Sequence, residues 1–426
     1  MESLLRQIKK LLPSKLFRVF QPLYHYKMAF WAALIYRFPS RQIKVVAVTG
    51  TKGKTSTVEF INSILEEAGF KTALAGTLRF KIGNVSRPNL YKMTMPGRFF
   101  IQKFLRGAVV AHCDWAIIEM TSEGARQFRH KFIDLDALVF LNIAPEHIES
   151  HGSYEKYLAA KLELARALEK SRKTKKVLVV NIDDKEAKKF LAVNIADKKT
   201  FSLADARPYS VSDSGIQMTF AGEKIASPLP GIFNIYNILA ATTFAHSQNI
   251  PPAVIKRGIE KVRKIEGRAE DIFLEDKNLR AKQNFRVIID YAHTPDSLKA
   301  LYEAFGNKRK ICVLGNTGGG RDIWKRSEMA KIADAYCAEI ILTDEDPYDD
   351  DPRVIVEEMS KAISKPHSII MNRREAIREA IKKARAADVI LITGKGTDPY
   401  IMRANGTREP WNDAKVAQEE LEKIIR

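Results

Sequence analysis

The most regular feature of the chain is a series of short apolar runs separated by helical patterns. Residues 45–48 read Val-Val-Ala-Val and predict a buried strand, after which a glycine-rich turn leads into apolar residues at helical spacing over residues 55–65. Further apolar runs of strand length occur at residues 115–118, 137–141 and 177–180. Such runs, separated by helices, are typical of the parallel strands of a doubly wound α/β domain.

A second series of strands and helices begins after a break near residue 268. Its apolar runs are residues 287–289, 311–314, 340–342 and 389–392. We therefore predict a short N-terminal segment over residues 1–43, a first α/β domain over residues 44–268 and a second over residues 269–426.

The first 45 residues are basic and rich in apolar and aromatic side chains. They hold nine Lys or Arg against the single acid Glu2. The apolar stretch 28–36 is too short to cross a bilayer and no small-residue cleavage site follows it, so we predict neither a membrane span nor a signal peptide. Two interpretations of residues 1–40 stay open: a helix packed against the next domain, or a peripheral contact with an anionic membrane.

Composition narrows the class of protein without fixing its function. At 426 residues the chain exceeds what one hydrophobic core usually supports, and 45% hydrophobic residues with 28% charged ones are ordinary for a soluble globular protein. The formal charge of +19 suits nucleic acid, an anionic membrane or a phosphate-rich small substrate equally. Cys113, Cys312 and Cys337 have no paired spacing, so we predict neither a disulfide framework nor a zinc site and favour the cytoplasm.

A glycine-rich loop follows the first predicted strand. It reads Thr-Gly-Thr-Lys-Gly-Lys-Thr-Ser over residues 49–56, and its glycines allow backbone N–H groups to turn toward a phosphate at the start of a helix. We expect Lys54 to meet the β- and γ-phosphates and Thr55 to place its hydroxyl on magnesium. The predicted ATP contacts of this loop are Gly50, Thr51, Lys52, Gly53, Lys54, Thr55 and Ser56.

The pattern Thr-Gly-Thr-x-Gly-Lys-Thr resembles the compact nucleotide loop of the Mur ligases. That resemblance implies an α/β fold with a central P-loop ATPase domain, mostly parallel in its sheet, and a C-terminal Rossmann-like α/β domain. It also implies a reaction in which ATP activates a substrate carboxylate as an acyl phosphate, which an amine then attacks.

Three further residues match the metal motifs of that family. Glu119, within Ile-Ile-Glu-Met-Thr-Ser, looks like its magnesium-binding glutamate, and His147, within Asn-Ile-Ala-Pro-Glu-His, looks like its second metal ligand. Lys161 matches the lysine that is carbamylated in the family, where carbon dioxide turns a cation into a magnesium-binding anion. The resemblance thus implies two Mg²⁺ sites, with Thr55, Glu119, His147 and Lys161 as ligands and Lys54, Glu119, His147 and Lys161 in the catalytic centre.

Matches continue through the second half of the chain. By resemblance, Asn234 and Asn237 of an Asn-x-x-Asn helix start, Arg268, and Asp290 of Asp-Tyr-Ala-His-Thr-Pro would contact the nucleotide. A Gly-Gly-x-Arg-Asp-x-x-Lys-Arg pattern resembles the members that add the third residue of the peptidoglycan stem peptide. The residues that the resemblance assigns to substrate are Thr94, Thr121, Ser122, Arg321, Asp346, Tyr348 and Asp398.

Two departures from the family pattern bear on the substrate. The members that add the third residue carry a whole domain for a uridine nucleotide before the phosphate loop, whereas this loop starts at residue 49, so the muramyl peptide is expected to be either UDP-linked or lipid-linked. Members that add meso-diaminopimelate have Asp-Asn-Pro-Arg where this chain has Glu345-Asp346-Pro347-Tyr348. A pocket without the arginine favours a diamino acid such as L-lysine, although a solvated acidic loop is the alternative.

The expected function is therefore an ATP-dependent amide ligase that adds an amino acid to a muramyl-peptide carboxylate in peptidoglycan synthesis. The expected enzyme is a monomer, cytoplasmic or membrane-associated, that binds no specific nucleic acid. One alternative keeps the fold and changes the carrier, as in folylpolyglutamate or poly-γ-glutamate synthetases. A second, a nucleic-acid-binding ATPase, leaves Glu119, His147 and Lys161 unexplained.

Overall fold

The computed structural model describes residues 14–146, 148–320 and 323–426. Its α-helices are α1 Ser14–Ile35, α2 Lys54–Glu67, α3 Arg98–Val110, α4 Ser122–Arg126, α5 Ile148–His151, α6 Tyr154–Glu169, α7 Ala187–Leu191, α8 Ile232–Ser247, α9 Pro252–Glu260, α10 Lys277–Lys282, α11 Pro295–Ala304, α12 Lys325–Tyr336, α13 Pro352–Ser360, α14 Arg373–Lys383 and α15 Asp413–Ile425. Its strands are β1 Lys44–Thr49, β2 Thr72–Ala75, β3 Arg79–Ile82, β4 Val85–Pro88, β5 Trp115–Glu119, β6 Ala137–Phe140, β7 Val177–Asn181, β8 Asp197–Phe201, β9 Ser210–Ser212, β10 Gly215–Phe220, β11 Glu223–Ser227, β12 Glu270–Asp271, β13 Arg286–Asp290, β14 Lys310–Leu314, β15 Glu339–Leu342, β16 Ser368–Ile369, β17 Val389–Thr393, β18 Tyr400–Met402 and β19 Arg408–Pro410.

An eight-stranded sheet runs in the order β4-β3-β2-β5-β1-β6-β7-β8. The strands from β2 to β8 in this order pair in parallel, and β3 and β4 extend the sheet as an antiparallel edge. Every residue of β5, β6 and β7 is buried, as expected for parallel strands covered on both faces. The apolar runs of the first half are therefore strands, as predicted.

A six-stranded sheet in the second half has the order β12-β13-β17-β14-β15-β16. In this sheet β12 and β13 pair antiparallel, and all the other neighbouring strands pair in parallel. Its apolar strand residues form the centre of two hydrophobic clusters, one on each face of the sheet. The second strand and helix series is therefore also an α/β sheet, as the apolar pattern predicts.

The chain divides into two compact units. Described residues of the first unit fall within Met1–Ile143, Glu155–Ser202 and Ala240–Ile255. The second unit comprises the described residues of the ranges Ala144–Tyr154, Leu203–Leu239 and Lys256–Arg426. The functional boundary near residue 268 stays a prediction.

Helix α1 packs against α3 through small side chains. Ala29, Ala32 and Ala33 are buried, and Arg106 of α3 donates hydrogen bonds to the last carbonyls of the segment, among them Tyr36 O at 2.9 Å. This is the packing that one of the two interpretations predicts for the N-terminal segment. Across the described residues, every helix falls short of the length or apolarity needed to cross a membrane.

The expectation that the cysteines form no disulfide is wrong for one pair. Cys312 lies in β14 and Cys337 directly follows α12, and their sulfurs are bonded, with the two Cα atoms 6.2 Å apart. The two residues are 25 positions apart in the sequence, and it is the return of the chain through α12 that brings them together. Spacing alone carries no signal of such a contact. Cys113 is a free, buried thiol.

Candidate active site

The phosphate loop lies where β1 ends, between the neighbouring strands β5 and β6. Gly53 is the residue before α2 and has a φ of 83°, a left-handed conformation that favours glycine. A side chain at Gly50 would place its Cβ atom 2.9 Å from Cβ of Leu141, so this position also requires glycine. The loop therefore keeps its backbone close to the sheet edge, as a phosphate cradle requires.

Asn142, two residues after the end of β6, holds the loop in shape. Its Oδ1 atom accepts hydrogen bonds from the backbone N–H groups of Thr51 and Lys52, at 3.2 and 2.9 Å. Its Nδ2 atom donates to Lys52 O at 3.1 Å. Lys54 lies over the same loop, where its Nζ atom donates to the carbonyls of Gly50 and Thr51, each at 3.0 Å. An ammonium in this position is available to phosphate oxygens at the loop.

Glu119, the last residue of β5, is buried beside the loop. Its carboxylate accepts from the Thr55 hydroxyl at 3.1 Å and from the Thr77 backbone N–H and hydroxyl at 2.9 and 3.0 Å. The Thr77 hydroxyl is in turn 2.8 Å from that of Thr94. The structure thus brings Thr55, Glu119 and Thr94 together. Hydroxyl and carboxylate oxygens of this kind suit Mg²⁺.

Lys161 reaches the phosphate loop from α6. Its side chain is 2% exposed and its Nζ atom donates to Gly50 O at 2.7 Å. Tyr157, one turn earlier, brings its hydroxyl within 2.8 Å of the Thr51 hydroxyl. Lys54 and Lys161 therefore both contact the carbonyl of Gly50.

Thr121 and Ser122 follow Glu119 at the start of α4. The Thr121 hydroxyl accepts from the backbone N–H of Gly124 at 3.0 Å and caps the helix, and Ser122 is buried. The Thr121 side chain therefore caps helix α4. The resemblance implies in addition that it contacts the substrate.

The predicted nucleotide residues of the second unit form two local groups. Asn237 donates to Asn234 Oδ1 at 3.1 Å, and Asn234 donates to Pro230 O at 2.8 Å, so this buried pair fixes the start of α8. Asp290 accepts from the backbone N–H groups of Ala269 and Ala292, at 2.6 Å each. Loss of solvent raises the pKa of Asp290, against the opposing effect of the Arg268 guanidinium.

Arg268 lies over the ring of Tyr291 at 4.7 Å and donates to Gly267 O. The pKa of Tyr291 is raised well above its usual value, first by the negative charge of Asp398 and then by loss of solvent. A negative field therefore reaches this tyrosine from the predicted acceptor pocket.

The acidic residues of that pocket are partly neutralised by basic partners. Asp346 accepts from Lys395 Nζ at 2.9 Å and from the Met402 N–H at 2.7 Å, and Asp398 lies 3.6 Å from the same Nζ atom. Arg403 pairs with Asp344 and with Glu409. Tyr348 has a φ of 53°, an uncommon conformation for a bulky side chain.

Two predicted site residues, His147 and Arg321, lie outside the described residues. Within the described ranges, no group of three or more His, Cys, Asp and Glu side chains is arranged to hold a metal. Among the described residues, Thr55 and Glu119 offer a hydroxyl and a carboxylate, 3.1 Å apart, beside the phosphate loop.

Sequence reasoning assigned no role to Thr77, Asn142, Tyr157 or Lys395. Thr77 and Asn142 each follow closely on a strand whose carboxyl end meets the same sheet edge, which is the position where ligand-binding residues of α/β sheets collect. This rule is enough to suggest both residues as candidates for the site from the sequence. Tyr157 and Lys395 become visible only through their contacts.

A phosphate loop at the carboxyl edge of a parallel sheet, followed by a second α/β sheet, defines a P-loop α/β protein of two units. The chain belongs to the Mur ligase family. The model of the Mur ligase middle domain matches residues 48–245, and that of the Mur ligase glutamate ligase domain matches residues 277–396. The family and fold class predicted from the motifs are thereby confirmed.

Curated relatives support the same conclusion. The UDP-N-acetylmuramoyl-L-alanyl-D-glutamate–2,6-diaminopimelate ligase of Syntrophomonas wolfei is 35% identical, over 92% of this chain and 81% of its own length. The enzyme of the same name from Listeria innocua is 34% identical, over 88% of this chain and 77% of its own.

Solved structures show the same fold. A structure of a ligase of that name is 27% identical, with a TM-score of 0.60, and the match covers 90% of this chain and 79% of that one. Folylpolyglutamate synthase of Mycobacterium tuberculosis has a TM-score of 0.68 at 16% identity, covering 87% of this chain and 92% of that one. At that identity the second likeness concerns the fold alone.

Proposed function

We propose that this Mur ligase joins an amino acid to the carboxylate of a muramyl peptide during peptidoglycan synthesis. The observation that carries the proposal is the convergence of Lys54, Thr55, Glu119 and Lys161 on one phosphate loop. The names of the relatives support a muramoyl-L-alanyl-D-glutamate donor. UDP-linked and lipid-linked donors are both compatible with the N-terminal segment.

The proposed reaction has two steps. A donor carboxylate oxygen attacks the γ-phosphorus of ATP, which forms an acyl phosphate and releases ADP. The amino group of the acceptor then attacks the acyl carbon, forms the amide, releases phosphate and loses a proton. In the first step Lys54 binds the phosphate that is transferred, and the backbone N–H groups of residues 50–56 orient the others.

Mur ligases use ATP and Mg²⁺, and Thr55 and Glu119 are the residues that we propose as metal ligands at the phosphate loop. His147 belongs to the same proposal through its motif alone. Bound Mg²⁺ supplies positive charge that stabilises the phosphate oxygens. Thr77 holds the Glu119 carboxylate in position through two hydrogen bonds.

We also propose that Lys161 is carbamylated and that two metal sites are formed. A buried ammonium is costly, and reaction of the neutral amine with carbon dioxide converts the side chain to an anion. The support is the position of its Nζ atom, 2.7 Å from the carbonyl oxygen of Gly50, which belongs to the same phosphate loop as Thr55.

In the second unit, Asn234, Asn237, Arg268 and Asp290 are proposed to contact the nucleotide. Asp346, Tyr348, Asp398 and Arg321 are proposed to contact the acceptor. The neutralisation of Asp346 by Lys395 weakens the attraction for an ammonium, but Lys395 is shared with a second carboxylate, that of Asp398, 3.6 Å away, so negative charge remains in excess. We therefore keep a diamino acid with one carboxylate, such as L-lysine, as the proposed acceptor.

The proposal is tested by release of ADP and phosphate from ATP. Release is expected to require a muramoyl dipeptide and an amino acid together, since the acyl phosphate forms only on a bound carboxylate and turns over only with an amine. Release that needs neither substrate, or that nucleic acid stimulates instead, contradicts the proposal.

Membrane contact is proposed for the outer face of α1. Leu23, Trp31, Leu34 and Ile35 recur at helical spacing and are 43–60% exposed, whereas the small residues Ala29, Ala32 and Ala33 are buried. Bulky apolar groups on the exposed face of a helix reverse the pattern of a solvated helix. The basic character of the first 45 residues complements an anionic lipid surface.

A triple variant tests this contact: Trp31→Ser, Leu34→Ser and Ile35→Ser. Loss of these apolar groups is expected to lower co-sedimentation with phosphatidylglycerol vesicles by about tenfold or more. The control is Ile182→Ser, which removes another exposed apolar side chain of the same unit. Equal binding by the triple variant and the wild type, or no binding by either, would contradict the proposed membrane contact of α1.

A further inference from the structure

Two basic segments lie side by side at one edge of the eight-stranded sheet. Residues 36–44 lead into β1 and residues 170–176 lead into β7, so both lie at the edge where the parallel strands begin, here called the amino edge. Together the two segments contain eight Lys or Arg and neither Asp nor Glu. These eight residues form the basic edge: Arg37, Arg41, Lys44, Lys170, Arg172, Lys173, Lys175 and Lys176.

Direct contacts join the two segments. Lys173 Nζ donates to the carbonyl of Ile43 at 2.8 Å. Asp134 lies between the segments, where its carboxylate accepts from Arg41 Nε at 3.3 Å and from the backbone N–H of Arg172 at 3.1 Å. The basic edge is therefore one continuous surface of the first unit.

Positive charge is in excess on this surface. All of the basic edge except Lys173 and Lys176 is exposed. The ion pairs that it forms within the described part of the chain are those of Arg41 with Asp134 and of Lys173 with Asp136. Each of these two carboxylates also accepts a backbone N–H group, so neither is committed to the basic edge alone. A surface with this excess attracts a polyanion.

The apolar end of α1 adjoins the basic edge. Helix α1 ends at Ile35, and the basic edge begins two residues later. The ring of Phe38 joins the two, because the Arg41 guanidinium lies 4.1 Å above it and Phe30 of α1 packs edge-on against it, with ring centroids 6.3 Å apart. Leu34 and Ile35 are 43 and 60% exposed. Exposed apolar and basic groups are therefore contiguous.

This combination distinguishes between two kinds of polyanion. A nucleic acid offers phosphates to the basic edge, but it offers no apolar phase to Leu34 and Ile35. An anionic bilayer offers both, since apolar side chains enter the boundary of the acyl chains while Lys and Arg stay at the head groups. The surface is therefore better matched to a membrane than to nucleic acid.

We propose that the basic edge binds the anionic head groups of a bilayer and, together with the exposed end of α1, lays the amino edge of the sheet on the membrane. Strand β1 has six residues, so at about 3.3 Å per residue the phosphate loop lies about 20 Å from the basic edge. The loop then faces away from the membrane, where ATP is available. This proposal adds a second set of residues and an orientation to the contact of α1.

A triple variant tests the basic edge: Arg41→Gln, Lys44→Gln and Arg172→Gln. It removes three exposed charges and leaves α1 intact. Its partition coefficient on phosphatidylglycerol vesicles, measured by co-sedimentation, is expected to fall about 10- to 100-fold, because each Lys or Arg near an anionic surface adds to binding. Added salt is expected to weaken the wild type more than the variant. An unchanged partition coefficient overturns the proposal.

The control removes the same charge from the other side of the sheet: Lys185→Gln, Lys188→Gln and Lys189→Gln. These three exposed lysines follow the carboxyl end of β7. The control is expected to bind vesicles as the wild type does. A loss as large as that of the first variant would show that net charge alone governs binding, against the proposal. Unchanged Tm and unchanged ADP release with a soluble donor establish that both variants are folded.

Two labelled variants test the orientation. Arg172→Cys lies on the basic edge, and Lys185→Cys lies beyond the carboxyl end of β7. The native cysteines are protected from the label, since Cys113 is buried and Cys312 and Cys337 are bonded to each other. A polarity-sensitive fluorophore at position 172 is expected to respond to phosphatidylglycerol vesicles, and the same fluorophore at position 185 is not. Equal responses at the two positions contradict the proposed orientation.

The inference rests on the membrane contact proposed for α1, but the two can fail separately. If the serine variant of α1 loses binding and the glutamine variant of the basic edge keeps it, the contact of α1 stands and the basic edge is excluded. The reverse result supports the basic edge. Binding of the wild type to duplex RNA but not to vesicles overturns the proposal. The vesicle assays need neither ATP nor donor, so they are independent of the proposed ligase reaction.

Discussion

Lys54→Ala is expected to lower ATP-dependent turnover about 10²- to 10³-fold. Removal of one group that stabilises developing charge costs on the order of 3–4 kcal/mol. Lys54 places a positive charge beside the loop backbone, since its Nζ atom lies 3.0 Å from the carbonyls of both Gly50 and Thr51. The measurement is the rate of ADP release at saturating donor and acceptor.

A control variant shows whether the effect depends on where the lysine lies. Lys175→Ala removes an exposed lysine of the same unit and is expected to retain full turnover. Wild-type rates in Lys54→Ala, with the variant correctly folded, exclude the loop from phosphate binding and with it the proposed ligase chemistry.

Lys161→Ala is also expected to be inactive, by about 10²-fold or more. If the side chain acts as a carbamate, alanine removes an anion from the metal site and leaves space beside Gly50. Short carboxylates such as formate and acetate are then expected to restore part of the activity by occupying that space. The measurement is ADP release as a function of carboxylate concentration.

Lys161→Met provides the control for this rescue. It keeps the aliphatic stem, removes the amine and leaves no space, so it is expected to be inactive and not to respond to carboxylates. An alanine variant with normal activity removes Lys161 from the mechanism. An inactive alanine variant that no carboxylate restores argues for a role of the amine itself.

Much of the fold is predictable from the apolar pattern, and the exceptions have a physical reason. Strands such as β5 and β17 are buried along their whole length, so each begins with a run of four apolar residues and only its last residue is polar. The antiparallel strands were not predicted. Strand β4 is exposed at every residue and β9 likewise, so neither needs the apolar side chains that would reveal it.

The candidate site was predictable as far as local motifs extend. The loop glycines, Lys54 and Thr55 belong to one short segment, and Glu119 ends a recognisable strand. The ion pair between Asp346 and Lys395 could not be predicted, because the two residues are 49 positions apart in the sequence and come into contact only in the folded chain. Charges read from sequence alone therefore overstate the negative field at the acceptor pocket.

The mass of the product tests the central claim most directly. The enzyme is supplied with ATP, UDP-muramoyl-L-alanyl-D-glutamate and each member of a panel of amino acids that includes L-lysine and meso-diaminopimelate. The expected product is heavier than the donor by the mass of one amino acid less one water. One ADP and one phosphate are expected for each molecule of product. L-Lysine is expected to be the better acceptor. ATP hydrolysis without any adduct, whichever amino acid is supplied, would contradict the account.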